Sequence, residues 1–171
     1  MIVSRNLSFY APTAPEVADK MLNMVGVRQG ENVLDIGSGL AGILIVAAEK
    51  YNANCVGIEM DHDLVERSRQ LIKRKGLDGS IEIVEGDVFD NRIADADVVT
   101  LYLQRGGMRT IEDKLFSELK KSARIVSHNY KFPNYQYNDG IEMTISPFSS
   151  IIHEIYIYRM NDVKRKQVSI L

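Results

Sequence analysis

The feature that most constrains the fold is the stretch 33–42, where an apolar run leads into a tight glycine turn and then into a helical pattern. Gly37, Gly39 and Gly42 carry no side chain, so the backbone of this turn can approach a bound molecule closely. Asp35 lies two residues before the first glycine. A strand, a glycine turn and a helix in this order predict a ligand-binding unit of an α/β fold.

Short apolar runs alternate with longer helical patterns along the chain, which is typical of a parallel sheet covered by helices. A capping box of Thr13 and Glu16 predicts a first helix that runs to Val25. After Pro133 two apolar runs predict an antiparallel hairpin, so we expect a doubly wound, mostly parallel sheet with helices on both faces. Strands are predicted at 32–36, 55–58, 81–84, 98–103, 124–127, 141–145 and 151–158, with further helices at 41–51, 62–75 and 111–121 (capped by Thr110).

Length and composition limit the function classes. The chain has 171 residues, which predicts a single domain over 1–171. The formal charge of −2 argues against nucleic acid as a partner, because dedicated nucleic-acid binders carry a basic field. One cysteine and three scattered histidines predict no metal site. No signal peptide or membrane-spanning run is evident, so we expect no membrane association and a cytoplasmic location.

Polar residues follow successive predicted strands, at the edge where α/β sheets bind ligands. Glu59 ends the second strand and suits the two hydroxyls of a ribose. Asp87, in the turn Glu85-Gly86-Asp87-Val88 after the third strand, can accept from the amine of adenine, while Met60 or Val88 packs on the ring. Tyr102 ends the fourth strand. The pattern predicts an adenosine site along one rim.

Two cofactor hypotheses fit the glycine turn. Gly37, Gly39 and Gly42 satisfy the dinucleotide fingerprint G-x-G-x-x-G, which would indicate an NAD-binding module. Asp35 opposes that hypothesis, because a carboxylate repels the pyrophosphate. S-adenosylmethionine carries an ammonium and a sulfonium and no phosphate, so a carboxylate attracts it. We therefore favour S-adenosylmethionine and expect Ser38 to contribute to the same site.

Three segments together resemble the class I, seven-stranded methyltransferases that use S-adenosylmethionine: Asp35-Ile36-Gly37-Ser38-Gly39, Gly57-Ile58-Glu59 and Glu85-Gly86-Asp87. Three flanking segments are similar to the small archaeal protein-lysine methyltransferases, whose eukaryotic relatives act on mitochondrial proteins: 10–15, 98–103 and 124–128. The resemblance implies a seven-stranded Rossmann-like sheet and a lysine acceptor. It places Tyr10 and Thr13 over the methionine end of the cofactor, with Asp35, Gly37 and Gly39 around it, Glu59 at the ribose and Asp87 at the adenine.

The chain departs from that family at Leu40-Ala41-Gly42, where relatives usually have Asp-Gly-Arg. Ala41 replaces a glycine, which we expect to be tolerated if its backbone stays in the helical region. Gly42 then belongs to the start of the following helix.

Tyr102 is the predicted acceptor-side residue, since its ring and hydroxyl can orient an amine. His128, just after the fifth predicted strand, is the second candidate catalytic residue, although a hydrogen-bonded structural histidine explains it equally well. The fourth strand lacks the Asn/Asp-Pro-Pro-Tyr motif of methyltransferases that act on base amines. The sequence therefore predicts methyl transfer to a protein lysine, with RNA or a small molecule as alternative acceptors and a non-catalytic NAD-binding module as the other alternative.

Overall fold

The computed structural model describes residues 11–166. Its four α-helices are α1 (Pro15–Val25), α2 (Gly42–Tyr51), α3 (His62–Arg74) and α4 (Arg105–Glu118). Its strands are β1 (Asn32–Ile36), β2 (Asn54–Glu59), β3 (Ile81–Glu85), β4 (Val98–Leu101), β5 (Arg124–His128), β6 (Tyr135–Gln136), β7 (Asp139–Met143), β8 (His153–Arg159) and β9 (Lys164–Arg165).

Seven strands form one sheet in the order β3-β2-β1-β4-β5-β8-β7. The first five are parallel, whereas β8 runs antiparallel to both β5 and β7. The predicted doubly wound sheet with a C-terminal hairpin is confirmed. The strand order reverses between β1 and β4, and a crevice opens at such a switch point. Two short strands, β6 and β9, form a separate antiparallel pair that the sequence pattern did not indicate.

Helices cover both faces of the sheet, each over its own apolar core. One core combines buried side chains of α1, α2 and α3 with one face of the strands, and the other combines α4 with the opposite face. Six consecutive residues of α2, Ile43–Ala48, are buried, since this helix contacts both α1 and the sheet. A helix that is apolar all round belongs in the interior. The two cores fix the strands whose carboxyl ends carry the site.

Two predicted helix starts are wrong. Thr13 does not cap α1, because the N-cap is Ala14, with no side-chain cap, and Pro15 opens the helix. Helix α4 begins at Arg105 rather than after Thr110, whose hydroxyl instead donates to the Gly106 carbonyl within the helix. The glycines at 106 and 107 hid this first turn, because glycine lowers helix propensity. Strand β4 ends at Leu101, which leaves Tyr102 just outside it.

Candidate cofactor and acceptor site

A cavity of about 540 Å³ opens at the carboxyl ends of β1, β2 and β4. This volume suits a ligand of nucleoside size or somewhat larger. Tyr102 lines it together with eight of the residues predicted to bind the cofactor: Thr13, Asp35, Gly37, Ser38, Glu59, Met60, Gly86 and Val88. The parallel sheet therefore brings together the side chains that the sequence placed along one rim.

The turn after β1 uses the left-handed backbone region three times, at Gly37 (φ 73°), Gly39 (φ 53°) and Ala41 (φ 62°). Side-chain bulk at Gly37 is also restricted, because a Cβ there would lie 3.2 Å from Leu103 Cδ2. Ala41, the N-cap of α2, is completely buried. The condition under which Ala41 was expected to be tolerated, a backbone in the helical region, is not met on the right-handed side. The left-handed conformation of a non-glycine residue costs roughly 1–2 kcal/mol.

Glu59 fastens this turn to the end of β2. Its Oε2 accepts a hydrogen bond from Gly39 N at 2.8 Å, and its Oε1 accepts from Met60 N at 2.8 Å and Asp61 N at 3.0 Å. The sequence predicted Glu59 as a ribose ligand and did not indicate this second role. A carboxylate offers about four lone-pair positions, so Glu59 retains capacity for a ligand hydroxyl.

Asp35 is a buried carboxyl group on the central strand, with 3% of its surface exposed. Thr100 Oγ1 donates to Asp35 Oδ1 at 2.6 Å from the adjacent strand β4. Burial, together with the negative charge of Glu59, raises the pKa of Asp35 to about 7, although the bond from Thr100 lowers it. A cation bound in the cavity would favour the ionised form of this group.

Ser38 places a buried hydroxyl in the same cavity. Its Oγ has no hydrogen-bond partner among residues 11–166. Gly57 on β2 makes the room for this side chain, because a Cβ at Gly57 would lie 2.5 Å from Ser38 Oγ. A buried polar atom without a partner is costly, which points to a ligand atom that completes its bonding.

An aromatic cluster stands at the cavity wall that Tyr102 forms, and we call this the aromatic end of the cavity. The Tyr102 ring lies 4.0 Å from the His128 ring and 6.4 Å from the Tyr130 ring, measured between centroids. His128 is 1% exposed and does not line the cavity. Its Nδ1 is 3.3 Å from Thr13 Oγ1, and its Nε2 is 2.9 Å from His153 Nδ1. Burial and the adjacent His153 lower the pKa of His128 to about 4, so it is neutral at pH 7.

Comparison with known proteins identifies the family. A family model described as the ANTKMT methyltransferase domain matches residues 35–139, more than half of the chain. The chain belongs to this family. It is an S-adenosylmethionine-dependent methyltransferase of class I, which argues against the NAD-module hypothesis.

Three relatives illustrate the relationship of this ANTKMT-family methyltransferase. A protein-lysine N-methyltransferase of Saccharolobus islandicus is 30% identical, and the match covers 91% of this chain and 95% of the relative. The adenine nucleotide translocase lysine N-methyltransferase of Mus musculus is 28% identical over 74% of this chain, and the match spans 55% of the mouse protein. An RNA methyltransferase of Salinibacter ruber, solved with S-adenosylhomocysteine, is 30% identical, with a TM-score of 0.82 and coverage of 89% of this chain and 95% of the relative.

The residues of the cavity fit S-adenosylmethionine. Asp35 supplies a carboxyl for a cationic group, and the unpartnered Ser38 hydroxyl offers a polar contact. Gly37, in its left-handed conformation against Leu103, leaves the turn without a side chain at the cavity wall. Glu59 and Met60 line the part of the cavity that follows β2. The predicted assignment of single residues to ribose and adenine stays a prediction.

Two predicted cofactor residues are placed differently, and for a third the prediction is not tested. Tyr10 lies outside the described residues. Gly39 lies in the turn but does not line the cavity, and its N–H binds Glu59. Asp87 does not line the cavity either. Its Oδ1 accepts from Phe89 N and caps a short 3₁₀ helix, Val88–Asp90. Contact between Asp87 and adenine stays a prediction.

Sequence reasoning missed Thr100 and His153, each of which contacts a predicted site residue, and Leu103, which lines the cavity. Thr100 had one detectable signal, since a threonine in an otherwise apolar buried strand needs a hydrogen-bond partner. Within residues 11–166, no cluster of three His, Cys, Asp or Glu side chains could hold a metal ion.

Proposed function

We propose that this methyltransferase transfers the methyl group of S-adenosylmethionine to the side-chain amine of a protein lysine. The observation that carries the proposal is the aromatic end of the cavity, where Tyr102 lines the wall and Tyr130 stacks beside it. The faces of tyrosine rings attract alkylammonium groups and can orient an amine. The names of the Saccharolobus and mouse relatives, both lysine methyltransferases, support the same acceptor.

The chemistry requires a neutral amine in line with the donor methyl. S-adenosylmethionine supplies an electrophilic methyl group on a sulfonium. A lysine with a pKa of about 10.4 is neutral in only about one molecule in 2,500 at pH 7, a penalty of roughly 4.6 kcal/mol. A partly desolvated channel near a positive charge lowers the pKa of the amine. Tyr102 orients the amine, and alignment of the reactants can contribute roughly 7–11 kcal/mol.

A buried neutral histidine is not needed as the base in this mechanism. Because its pKa is about 4, His128 accepts a proton poorly at pH 7, and it does not reach the cavity wall. We propose that His128 acts as a positioning residue, which holds Thr13 at the cavity through Nδ1 and supports the Tyr102 ring. Its predicted catalytic role stays untested.

The proposal is tested by incubating the protein with isotope-labelled S-adenosylmethionine and two samples of one cell lysate. In the first sample lysines are free, and in the second they are blocked by exhaustive acetylation, which converts each side-chain amine into a non-nucleophilic amide. We expect label in protein from the first sample, located on lysine by mass spectrometry, and a strong reduction in the second. Label that survives blocking of lysines would overturn the lysine assignment.

RNA is the second candidate acceptor, because the Salinibacter ruber relative is named an RNA methyltransferase. The same assay separates the two candidates when the lysate is pretreated with ribonuclease. Loss of label after ribonuclease treatment, with no effect of lysine blocking, would favour RNA.

The acceptor assays above do not address the cellular location of the protein. Among the described residues, no helix is both long enough and apolar enough to span a membrane. The cytoplasmic location and the single domain over 1–171 remain proposals from the sequence.

A further inference from the structure

A second cavity, of about 610 Å³, lies between the start of α4, the segment after β5 and strand β8. We call it the basic groove. Four cationic side chains line it: Arg105, Arg109, Lys131 and Lys166. Glu154 is the one carboxylate among its described lining residues, and it is engaged by the Tyr156 hydroxyl. The groove therefore presents a concentrated positive charge that the methyltransferase site does not use.

The two arginines have no counter-ion in the described chain. Arg105 and Arg109 are exposed, and no carboxylate among residues 11–166 lies within ion-pair distance of either. Arg105 is the first residue of α4, where the positive end of the helix disfavours a cation. Arg109 follows four positions later, where like charges repel. Both effects destabilise the start of α4. An anion from another molecule, bound between the two arginines, would relieve this destabilisation.

The two lysines keep their charge directed at the same groove. Lys131 Nζ lies 4.6 Å from the centre of the Tyr156 ring and 5.3 Å from that of Tyr137. Lys166 Nζ donates to the carbonyls of Phe132 at 3.2 Å and Pro133 at 2.9 Å. Rings and carbonyls hold these ammonium groups in place without neutralising them.

The groove lies next to the Tyr102 side of the methyl-transfer site. Tyr130 lines the groove, and its ring lies 6.4 Å from that of Tyr102, which lines the cofactor cavity. An extended chain advances about 3.3 Å per residue. Residues two to four positions from a lysine at Tyr102 would therefore lie over the groove.

We propose that the basic groove binds acidic side chains that flank the target lysine, and so selects protein substrates with aspartate or glutamate two to four residues from the methylated position. This inference rests on the proposed function. Arginine binds carboxylates with paired hydrogen bonds. A protein fits better than RNA because the chain, with a net charge of −2, lacks the extended basic field of nucleic-acid binders.

The test uses two lysine peptides of about 15 residues that differ only in their flanks, which are aspartate and glutamate in one and asparagine and glutamine in the other. A third peptide keeps the acidic flanks but has norleucine in place of lysine, so its binding is measured without methylation. We expect the acidic lysine peptide to have a KM about tenfold lower than the neutral one at low salt, with the difference shrinking as salt rises.

The variants are Arg109→Glu and, as a matched control, Arg28→Glu. Arg28 is exposed and precedes the amino end of β1, whereas the groove lies beyond the carboxyl end of β5. Arg109→Glu should remove the preference for the acidic peptide, through KM rather than kcat, and weaken binding of the norleucine peptide at least fivefold. Arg28→Glu should leave both unchanged. If the two lysine peptides were methylated equally and Arg109→Glu had no effect, the proposed role of the groove would be overturned. The proposed function would remain intact.

Two further outcomes separate the hypotheses. Binding of the norleucine peptide that depends on Arg109, without methylation of either lysine peptide, would support the groove and contradict the lysine acceptor. A single-stranded RNA of 20 nucleotides serves as competitor. If the RNA binds more tightly than the acidic peptide and loses binding in Arg109→Glu, the occupant is nucleic acid and the proposal is overturned.

Discussion

Thr100 and Asp35 face each other on adjacent parallel strands, and the threonine hydroxyl donates to the buried carboxyl at 2.6 Å. Asp35 is thus an ionisable group at the centre of the sheet, where an apolar side chain would make the folded protein more stable. Burial raises the pKa of Asp35 to about 7, so the folded chain carries an unfavourable charge above that pH. Function and stability therefore oppose each other at this residue.

Asp35→Asn is expected to stabilise the ligand-free protein while abolishing cofactor binding. The folded pKa of about 7 exceeds an unfolded value of about 3.9, so ionisation costs stability progressively between pH 4 and pH 7. Asn keeps an acceptor for Thr100, and we expect a gain of about 1–3 kcal/mol in unfolding free energy at pH 8. Urea denaturation at pH 4 and pH 8 measures it, and an equal effect at both would contradict the prediction.

Asp97→Asn is the matched control. Desolvation raises the pKa of Asp97, but bonds from Lys120 and from Asn32 N outweigh it and hold the pKa below its usual value. The same substitution should therefore destabilise the protein at pH 8 and leave the cofactor affinity unchanged.

Cofactor affinity should depend on pH through Asp35. The ammonium of S-adenosylhomocysteine favours the ionised carboxylate, so its affinity should fall as pH drops from 7 to 5, by up to about tenfold per pH unit. Isothermal titration calorimetry in buffers of different ionisation enthalpy should detect proton release on binding near pH 6. The Asp35→Asn variant should show neither the slope nor the proton release.

His128 should produce a stability slope of the opposite sign. Its folded pKa of about 4 lies below an unfolded value of about 6.5, so stability is present above pH 6.5 and is lost as pH falls toward 4. Each group contributes at most about 1.4 kcal/mol per pH unit, and the two slopes oppose one another between pH 4 and 6.5. In His128→Gln this loss of stability at acidic pH should be absent. Denaturation of the variant and of wild type across this pH range measures the difference. If the stabilities of His128→Gln and wild type changed in parallel with pH, the low pKa assigned to His128 would be wrong.

Ala41→Gly is expected to change stability by less than about 0.5 kcal/mol or to increase it slightly. Glycine relieves the left-handed strain at φ 62°, which offsets the lost methyl burial and the added chain entropy. Ala47, equally buried within α2, provides the comparison, and Ala47→Gly should cost about 1–2 kcal/mol. Thermal or urea unfolding of both variants measures the difference, and equal losses would show that Ala41 is unstrained.

Tyr102→Phe is expected to lower kcat about tenfold while changing the cofactor Kd by less than about twofold. The Tyr102 hydroxyl has no hydrogen-bond partner within residues 11–166, so its loss should not destabilise the fold. Tyr51→Phe is the control, because Tyr51 bonds Asp19 away from the site and its loss should affect stability only. Wild-type turnover in Tyr102→Phe would exclude a role for the hydroxyl but not for the ring.

The sequence determined the sheet and one edge of the site, because these follow from local patterns. Asp35, Glu59 and Tyr102 each end or follow an apolar run, and parallel strands bring such ends to the same side. The end of α1 at Val25 and the start of α3 at His62 were equally local and were predicted correctly.

Only the tertiary structure decided what those residues contact. The partner of Asp35 lies 65 positions away, and that of His128 lies 25 positions away, so no spacing in the sequence could indicate either bond. The backbone conformation of Ala41 depends on packing in the turn, where tertiary contacts override a local preference of roughly 1–2 kcal/mol. The cations of the basic groove likewise come from α4, the segment after β5 and the far end of the chain. Local patterns specify elements, whereas burial and long-range contacts set the charge state and partner of each functional group.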